Sequence, residues 1–246
     1  MKNITASKVN LEGKVAIVTG ASSGIGMALA RKLAANGMNL VLHGRREERL
    51  RFLDEELGGL CWFAGDLTDP ATPANLINAA IEKYGRLDFA INNAGINHTG
   101  SINEVDIDKI CLMARINVEA AFRFTYAVLR YFLGKKSGHL IHTTSVMGYK
   151  VRENAGGYAG TKHAVEALCE ALRLELAKST VKVSCVAPGL VQTELHRDLI
   201  VHPSISRSVT RPLSADDVVK TIIWIMVQPA HINIPQVVVL PQDHQI

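Results

Sequence analysis

Tyr158 and Lys162 stand four residues apart in "YAGTK", inside a run whose apolar spacing predicts a helix. At that spacing two helical side chains share a face, with Cβ atoms roughly 5–6 Å apart. A free tyrosine, with a pKa of about 10, is a poor base at neutral pH. A neighbouring ammonium favours the phenolate, and any further positive charge adds to the effect. Tyr158 is then able to take a proton from an alcohol or return one to a carbonyl. The alanine, glycine and threonine between the pair leave space for a bound molecule. Alone the pair is a weak signal, because a packed tyrosine beside a solvated lysine matches it equally well.

A second cluster sits where a strand hands over to a helix. In "TGASSGIG" (19–26), Gly20, Gly24 and Gly26 permit a tight turn and close approach of a ligand to the backbone. A helix starting there presents unpaired N–H groups and its positive dipole end, which suit a pyrophosphate. The spacing is GxxxGxG instead of GxGxxG, so by itself it fits a structural turn as well as a binding loop. Dinucleotide folds place an acid about twenty positions on, at the end of the second strand, to hold the ribose hydroxyls. Here that end reads "LHGRREER", with Gly44 in the acid's place and Arg45 and Arg46 directly after it. An arginine fork suits a 2′-phosphate, which a carboxylate would repel. Arginines are also unfavourable at a helix N-terminus without an anion, so this end predicts NADP over NAD. Asp66, in "GDLTD", is placed to accept from an adenine amino group or to cap the helix near Pro70, although Asp69 suits the cap better.

The elements that position these groups alternate along almost the whole chain. Strands are predicted at "KVAIVTG", "MNLVLHG", "GLCWFAGD", "LDFAINNAG", "HLIHTTS", "KVSCVAPG" and "QVVVL". Helices are predicted at "GMALARKLAANG", "EERLRFLDEEL" and "PANLINAAIEKYG", over about 104–133 and 156–179, and near 214–228. Nearly all-apolar strands, each followed by a helix, imply a parallel sheet covered on both faces. The expected fold is α/β, a doubly wound parallel sheet of about seven strands in a single Rossmann-type domain over 11–246, after an extension at 1–10. Ligands in such sheets lie beyond the carboxyl ends of the strands. There this chain places "NNAG" (92–95), "TTS" (143–145) and "APG" (187–189), three small or polar patches on apolar strands. The irregular stretch at about 190–213 is long enough to read as a substrate loop.

Composition narrows the classes. Hydrophobic residues make up 48% and charged residues 20% of the 246, which allows a sizeable core. The net charge of +4 is dispersed and the densest run, "RREERLR", mixes signs, so no nucleic-acid surface is indicated. Four distant cysteines without a CxxC pair read as buried, reduced thiols, and the histidines form no ligand cluster, so no metal site is expected. Neither a secretory signal nor a run near the roughly 18 apolar residues of a membrane span is present, so a soluble, cytoplasmic protein is expected.

With these motifs in order, the chain resembles the short-chain dehydrogenase/reductase family over roughly 11–240. The likeness rests on "TGASSGIG", "NNAG", Asn117 in "RINV", Ser145, "YAGTK" and "PGLVQT" at 188–193. It implies a reversible carbonyl/alcohol oxidoreductase using a nicotinamide cofactor. By that resemblance Tyr158 is the acid/base, Lys162 lowers its pKa and binds the nicotinamide ribose, and Ser145 holds the substrate oxygen. Asn117 fixes a water on a proton path through Lys162. The implied cofactor set adds Ser22, Ser23, Ile25 and Leu67 to the glycine turn and Asp66. It places Asn93, Ala94 and Gly95 on the adenosine side and Pro188, Gly189, Val191 and Thr193 at the nicotinamide. Arg45 marks the NADP preference. The tail "VQPAHINIPQVVVLPQDHQ" is similar to those of NADP-dependent serine or 3-hydroxy acid dehydrogenases and of clavulanic acid dehydrogenase. Such relatives imply a homotetramer acting on a small alcohol or carbonyl. The glycine-rich ending of fatty-acyl ketoreductases is absent.

Two other readings stand beside this one. A broad ketone or steroid reductase differs only in the 190–213 loop. A non-catalytic NADP sensor should have lost the serine, tyrosine or lysine, and this chain has all three. Candidate substrate contacts are Asn97, Val146, Met147, Arg152, Asn154, Leu190 and residues of the 190–213 loop; Arg152 suits a carboxylate or reads as an exposed surface charge.

Overall fold

The structure, a computed structural model, describes residues 9–196 and 209–245. Most of the expected N-terminal extension and residues 197–208 of the expected loop lie outside the described residues. Seven strands form one parallel sheet: β1 (Val15–Thr19), β2 (Asn39–Gly44), β3 (Cys61–Ala64), β4 (Phe89–Asn92), β5 (Gly138–Thr143), β6 (Val181–Pro188) and β7 (Gln236–Val239). Their order is β3-β2-β1-β4-β5-β6-β7, so the winding reverses between β1 and β4 and opens a crevice at their carboxyl ends. The helices are α1 (Gly24–Ala34), α2 (Glu47–Leu57), α3 (Thr72–Tyr84), α4 (Ile107–Ala114), α5 (Ala121–Lys135), α6 (Gly156–Glu175) and α7 (Ala215–Met226). No described helix is long and apolar enough to cross a membrane.

The inner strands are largely apolar because helices cover both faces of the sheet, while the edge strands β3 and β7 are only partly buried. Every residue of β1 is buried: Ala16 and Val18 pack towards α1, α2 and α7, Val15 and Ile17 towards α3, α5 and α6. Local signals set the helix ends. Gly85 closes α3 in the left-handed region at φ +72°, and a reciprocal Ser214–Asp217 capping box opens α7.

The single helix expected over 104–133 is instead three pieces. Residues 101–105 form a turn, and α4 starts only after Asp106, whose side chain accepts from the Lys109 N–H at 3.1 Å. Arg115–Ala120 then widens into a π-helical turn before α5 continues. That turn carries the extra residue that lets Ile116, Asn117 and Ala120 all face inward. α6 stops four residues before the expected 179, where Ser179 turns the chain and its hydroxyl accepts from the Val181 N–H that begins β6. The stretch at 190–213 is stapled at its base: Gln192 N–H donates to Leu213 O at 2.8 Å and Leu213 N–H to Leu190 O at 2.9 Å. The expectation of four buried thiols is corrected, since Cys111 is exposed and Cys61 only half-buried against the core; Cys169 and Cys185 are buried.

Phe132, fully buried near the end of α5, packs over Gly138 so tightly that a Cβ there would stand 2.2 Å from its ring. Phe132→Ala is expected to destabilise the fold by about 3–5 kcal/mol, read as a lower urea midpoint at an unchanged m-value.

Candidate active site

One cleft of ≈ 810 Å³ crosses the carboxyl ends of the strands. With two exceptions, Gly26 and Asn117, every residue of the expected catalytic and cofactor sets lines it. Gly26 serves packing instead: a Cβ there would meet Gly20 O at 2.4 Å and Asn93 Nδ2 at 2.7 Å, locking α1 against the turn. Gly20 has φ +69° and passes the strand-four loop so closely that a Cβ would lie 2.9 Å from Ala94 Cα. Thr19 ties that loop down, its hydroxyl accepting from the Asn93 and Ala94 N–H groups at 3.0 Å each.

The end of β2 is built for an anion. Arg46 donates from Nη1 to Glu194 Oε2 at 2.8 Å, and Arg49 donates to Oε1 of the same carboxylate at 2.6 Å. Both guanidinium groups also reach the Ser22 carbonyl, at 3.3 and 3.4 Å. The two arginines hold the Glu194 carboxyl down at about 2. Arg45 also lines the cleft, and Asp66 is held below the usual carboxylate range by the Thr68 N–H hydrogen bond first and by the Arg45 charge as a lesser contribution. Asp66 accepts from Thr68 N–H at 2.9 Å and Asp69 from Ala71 N–H at 2.9 Å, one residue before α3, so neither caps that helix directly. Gly44 is small for a reason: a Cβ there would stand 2.9 Å from the Ser22 hydroxyl oxygen.

At the opposite end, Ser145, Tyr158 and Lys162 are all buried. Ser145 accepts from the Met147 N–H at 3.1 Å, which leaves its own proton for a hydrogen bond to the Tyr158 phenol. Burial pushes Tyr158 up to about 12, opposed by that hydrogen bond and by the charge of Arg152. Burial pushes Lys162 down to about 8, opposed by the charges of Glu166 and Cys185. Lys162 Nζ lies 5.8 Å from the Tyr158 ring centroid and donates to Thr143 O at 3.3 Å. Among the protein's own groups, the Ser145 hydrogen bond and the Arg152 charge favour the phenolate.

The Asn117 side chain is hydrogen-bonded at both ends of its amide. Its Oδ1 accepts from Ile96 N–H at 2.9 Å, and its Nδ2 donates to Ile96 O at 2.8 Å and Thr161 Oγ1 at 3.2 Å. It joins the strand-four loop to α6, and at most one Oδ1 lone pair is left for a water. Of the candidate substrate contacts, Asn97, Val146, Met147, Arg152 and Leu190 line the cleft; Asn154 does not, its carbonyl accepting from Gly100 N–H instead. Arg49, Glu194 and, from α4, Lys109 and Leu112 join the site without having been expected. Arg49 was within reach, since it follows Arg46 by three residues, the spacing of neighbours on one helix face; Glu194 carries no sequence signal.

A glycine turn under a helix N-terminus at one end of a cleft, with a buried serine–tyrosine–lysine group at the other, defines a dinucleotide-fold oxidoreductase. The chain matches the short chain dehydrogenase model over residues 14–202 and belongs to that family, acting on CH–OH groups. It is 34% identical over 238 residues to an uncharacterized oxidoreductase of Staphylococcus saprophyticus, covering 95% of this chain and 99% of that one. The closed form of a serine dehydrogenase complexed with NADP+ superposes with TM-score 0.88 at 26% identity, over 94% of this chain and 96% of the other. A short chain dehydrogenase of Burkholderia cenocepacia in complex with NADP gives TM-score 0.84 at 26% identity, over 96% and 99%.

Lys162 has a sign that can be tested. Its folded value, about 8, lies below the ordinary 10.5, so between these the unfolded chain holds the proton that the folded chain has released. Stability contributed at this site therefore rises with pH from about 8 to about 10. Above that range Tyr158, raised from 10.0 to about 12, acts in the opposite sense. Urea midpoints of wild type and Lys162→Met across this window are expected to converge as pH rises from below 8; parallel curves would exclude a buried ammonium.

Proposed function

We propose that the enzyme is NADP(H)-dependent and interconverts a small hydroxy acid, or a related small alcohol, with its aldehyde or ketone, Tyr158 acting as acid/base. The observation that carries the cofactor reading is the pair of guanidinium groups of Arg46 and Arg49 already gripping one anion, the Glu194 carboxylate, beside Ser22. A 2′-phosphate offers the same oxygens with more charge and would displace the Glu194 carboxylate from these arginines, while Gly44 leaves no acid at the end of β2. The two solved relatives that carry NADP in their sites support the same choice. The glycine turn and the N-terminus of α1 would hold the pyrophosphate, and Thr193 and Gly189 would border the nicotinamide.

When bound, the nicotinamide supplies or accepts the hydride. The polypeptide does the rest. On substrate binding Ser145 turns its one proton from the Tyr158 phenol to the reacting oxygen, and Tyr158 gives that oxygen a proton or removes one. Lys162, in contact with Thr143 O, adds to the field that favours the phenolate while it carries its proton. Arg152 is exposed at the rim of the cleft, close enough for its charge to act on Tyr158, and this favours an acidic substrate over a neutral steroid. Assembly as a homotetramer is supported by the family resemblance alone.

The test follows NADPH and NADH oxidation against a panel of aldehydes, ketones and 3-oxo acids. Tyr158→Phe is expected to lose about 10²–10⁴-fold in kcat with every substrate. Arg46→Ala should raise KM for NADPH by about 10- to 100-fold and leave that for NADH nearly unchanged. Equal use of the two nucleotides by the wild type would overturn the cofactor assignment.

A further inference from the structure

Glu166 is a buried acid on the stripe of α6 that carries Tyr158 and Lys162, one turn beyond the lysine. No step of the proposed chemistry uses it. Its surroundings are unusual for a glutamate. The Thr144 hydroxyl donates to its Oε1, and the Tyr149 hydroxyl hydrogen-bonds to it as well. Thr144 precedes Ser145, and Tyr149 follows the short 3₁₀ turn Val146–Gly148 that Ser145 caps. The turn is moulded around the glutamate stem: a Cβ on Gly148 would stand 2.9 Å from Glu166 Cγ. One carboxyl group thus fastens both ends of the segment that presents Ser145.

We propose that Glu166 is a positioning residue for this reaction: its carboxylate clamps the Ser145 turn onto α6 and supplies the counter-charge that keeps Lys162 an ammonium. The proposal rests on the acid/base reading of Tyr158. The charge half has a physical necessity. An ammonium buried among carbonyls and an aromatic ring is costly unless a negative group lies near. The groups that face the Lys162–Glu166 pair are Tyr158 and Cys169 on α6, Tyr149 after β5 and Cys185 on β6. Cys169 hydrogen-bonds to Cys185 and to His142 of β5, and the Arg173 charge reaches Tyr149. Glu166 is the one carboxylate in that set. Burial drives Tyr149 up and the Glu166 hydrogen bond drives it further, so the phenol stays a donor to the carboxylate at every pH of interest.

Glu166→Gln, Glu166→Asp, Tyr149→Phe and Tyr158→Phe separate the possibilities, with kcat and KM measured from pH 6 to 10 on the best carbonyl substrate of the panel. Glu166→Gln is expected to lower kcat by up to about 100-fold, with KM for NADPH near the wild-type value. The limb of the kcat profile that reports Lys162 should move to lower pH, because the lysine has lost its negative neighbour. Glu166→Asp should hold that limb near its wild-type position, and Tyr149→Phe should lower kcat without moving it. A Glu166→Gln enzyme with a lowered kcat but an unmoved limb would reduce Glu166 to packing and overturn the proposal. So would wild-type kinetics in that variant while Tyr158→Phe is inactive. Activity retained in Tyr158→Phe would instead remove the acid/base reading beneath it. Should Glu166→Gln fail to fold, the double variant Thr144→Val/Tyr149→Phe cuts the clamp and keeps the charge; unchanged kcat there overturns the clamp.

Discussion

The burial of one ammonium group constrains much of this structure. Lys162 is taken out of water on a helix that faces the carboxyl ends of β5 and β6, where a bare positive charge is unstable. What surrounds it answers that problem: the Thr143 carbonyl as acceptor, the Tyr158 ring face, and Glu166 one turn away. Each of these in turn fixes a neighbour. Thr143 ends β5, Glu166 draws in Thr144 and Tyr149, and Ser145 is left between them in hydrogen-bonding distance of the phenol. The polar patch after an otherwise apolar strand is thus the lining of a charge site and not a decorated turn.

The cleft divides its labour along its length. At the β1–β2 end, backbone and glycine carry the geometry, and the charged side chains are partly exposed, where an ion pair contributes little to stability. At the β5–β6 end the charged groups are buried, so their interactions are strong and their removal is felt by the fold as well as by the chemistry. The switch between β1 and β4 brings the two regimes within one ligand's reach.

How much of this was legible depended on which physical signal each residue carried. Inner strands buried on both faces write continuous apolar runs, and the short apolar edge strands β3 and β7 follow the same alternation with helices, so all seven were readable to within a few residues. α2 was read at its observed limits because acids open it and Gly58 follows it. The π-helical turn was not readable, since one widened turn barely disturbs a 3.6-residue period over 30 residues. Asn117 was picked out by resemblance, yet its role as a strut to Ile96 depends on a loop far away in sequence. Glu166 sits in "HAVEALCEAL", where an acid reads as the solvated face of an amphipathic helix. Only the Thr144 and Tyr149 hydroxyls, brought by another element, show it to be inside. Arg49 and Glu194 meet across 145 residues of chain, a distance that no local pattern spans.

The π-helical turn also acts as a phase shifter between two helices that share one axis. An α-helix advances about 100° per residue, so the one residue stored at Arg115–Ala120 rotates α4 relative to α5 by about that angle. α5 keeps Phe124, Val128 and Phe132 on the sheet while α4 turns Lys109 and Leu112 towards the cleft. Deleting a single residue there would straighten the helix and preserve its composition, but it would force a choice. Either the core face of α5 or the cleft wall of α4 would be turned away, so the segment is held to its length more strictly than to its sequence.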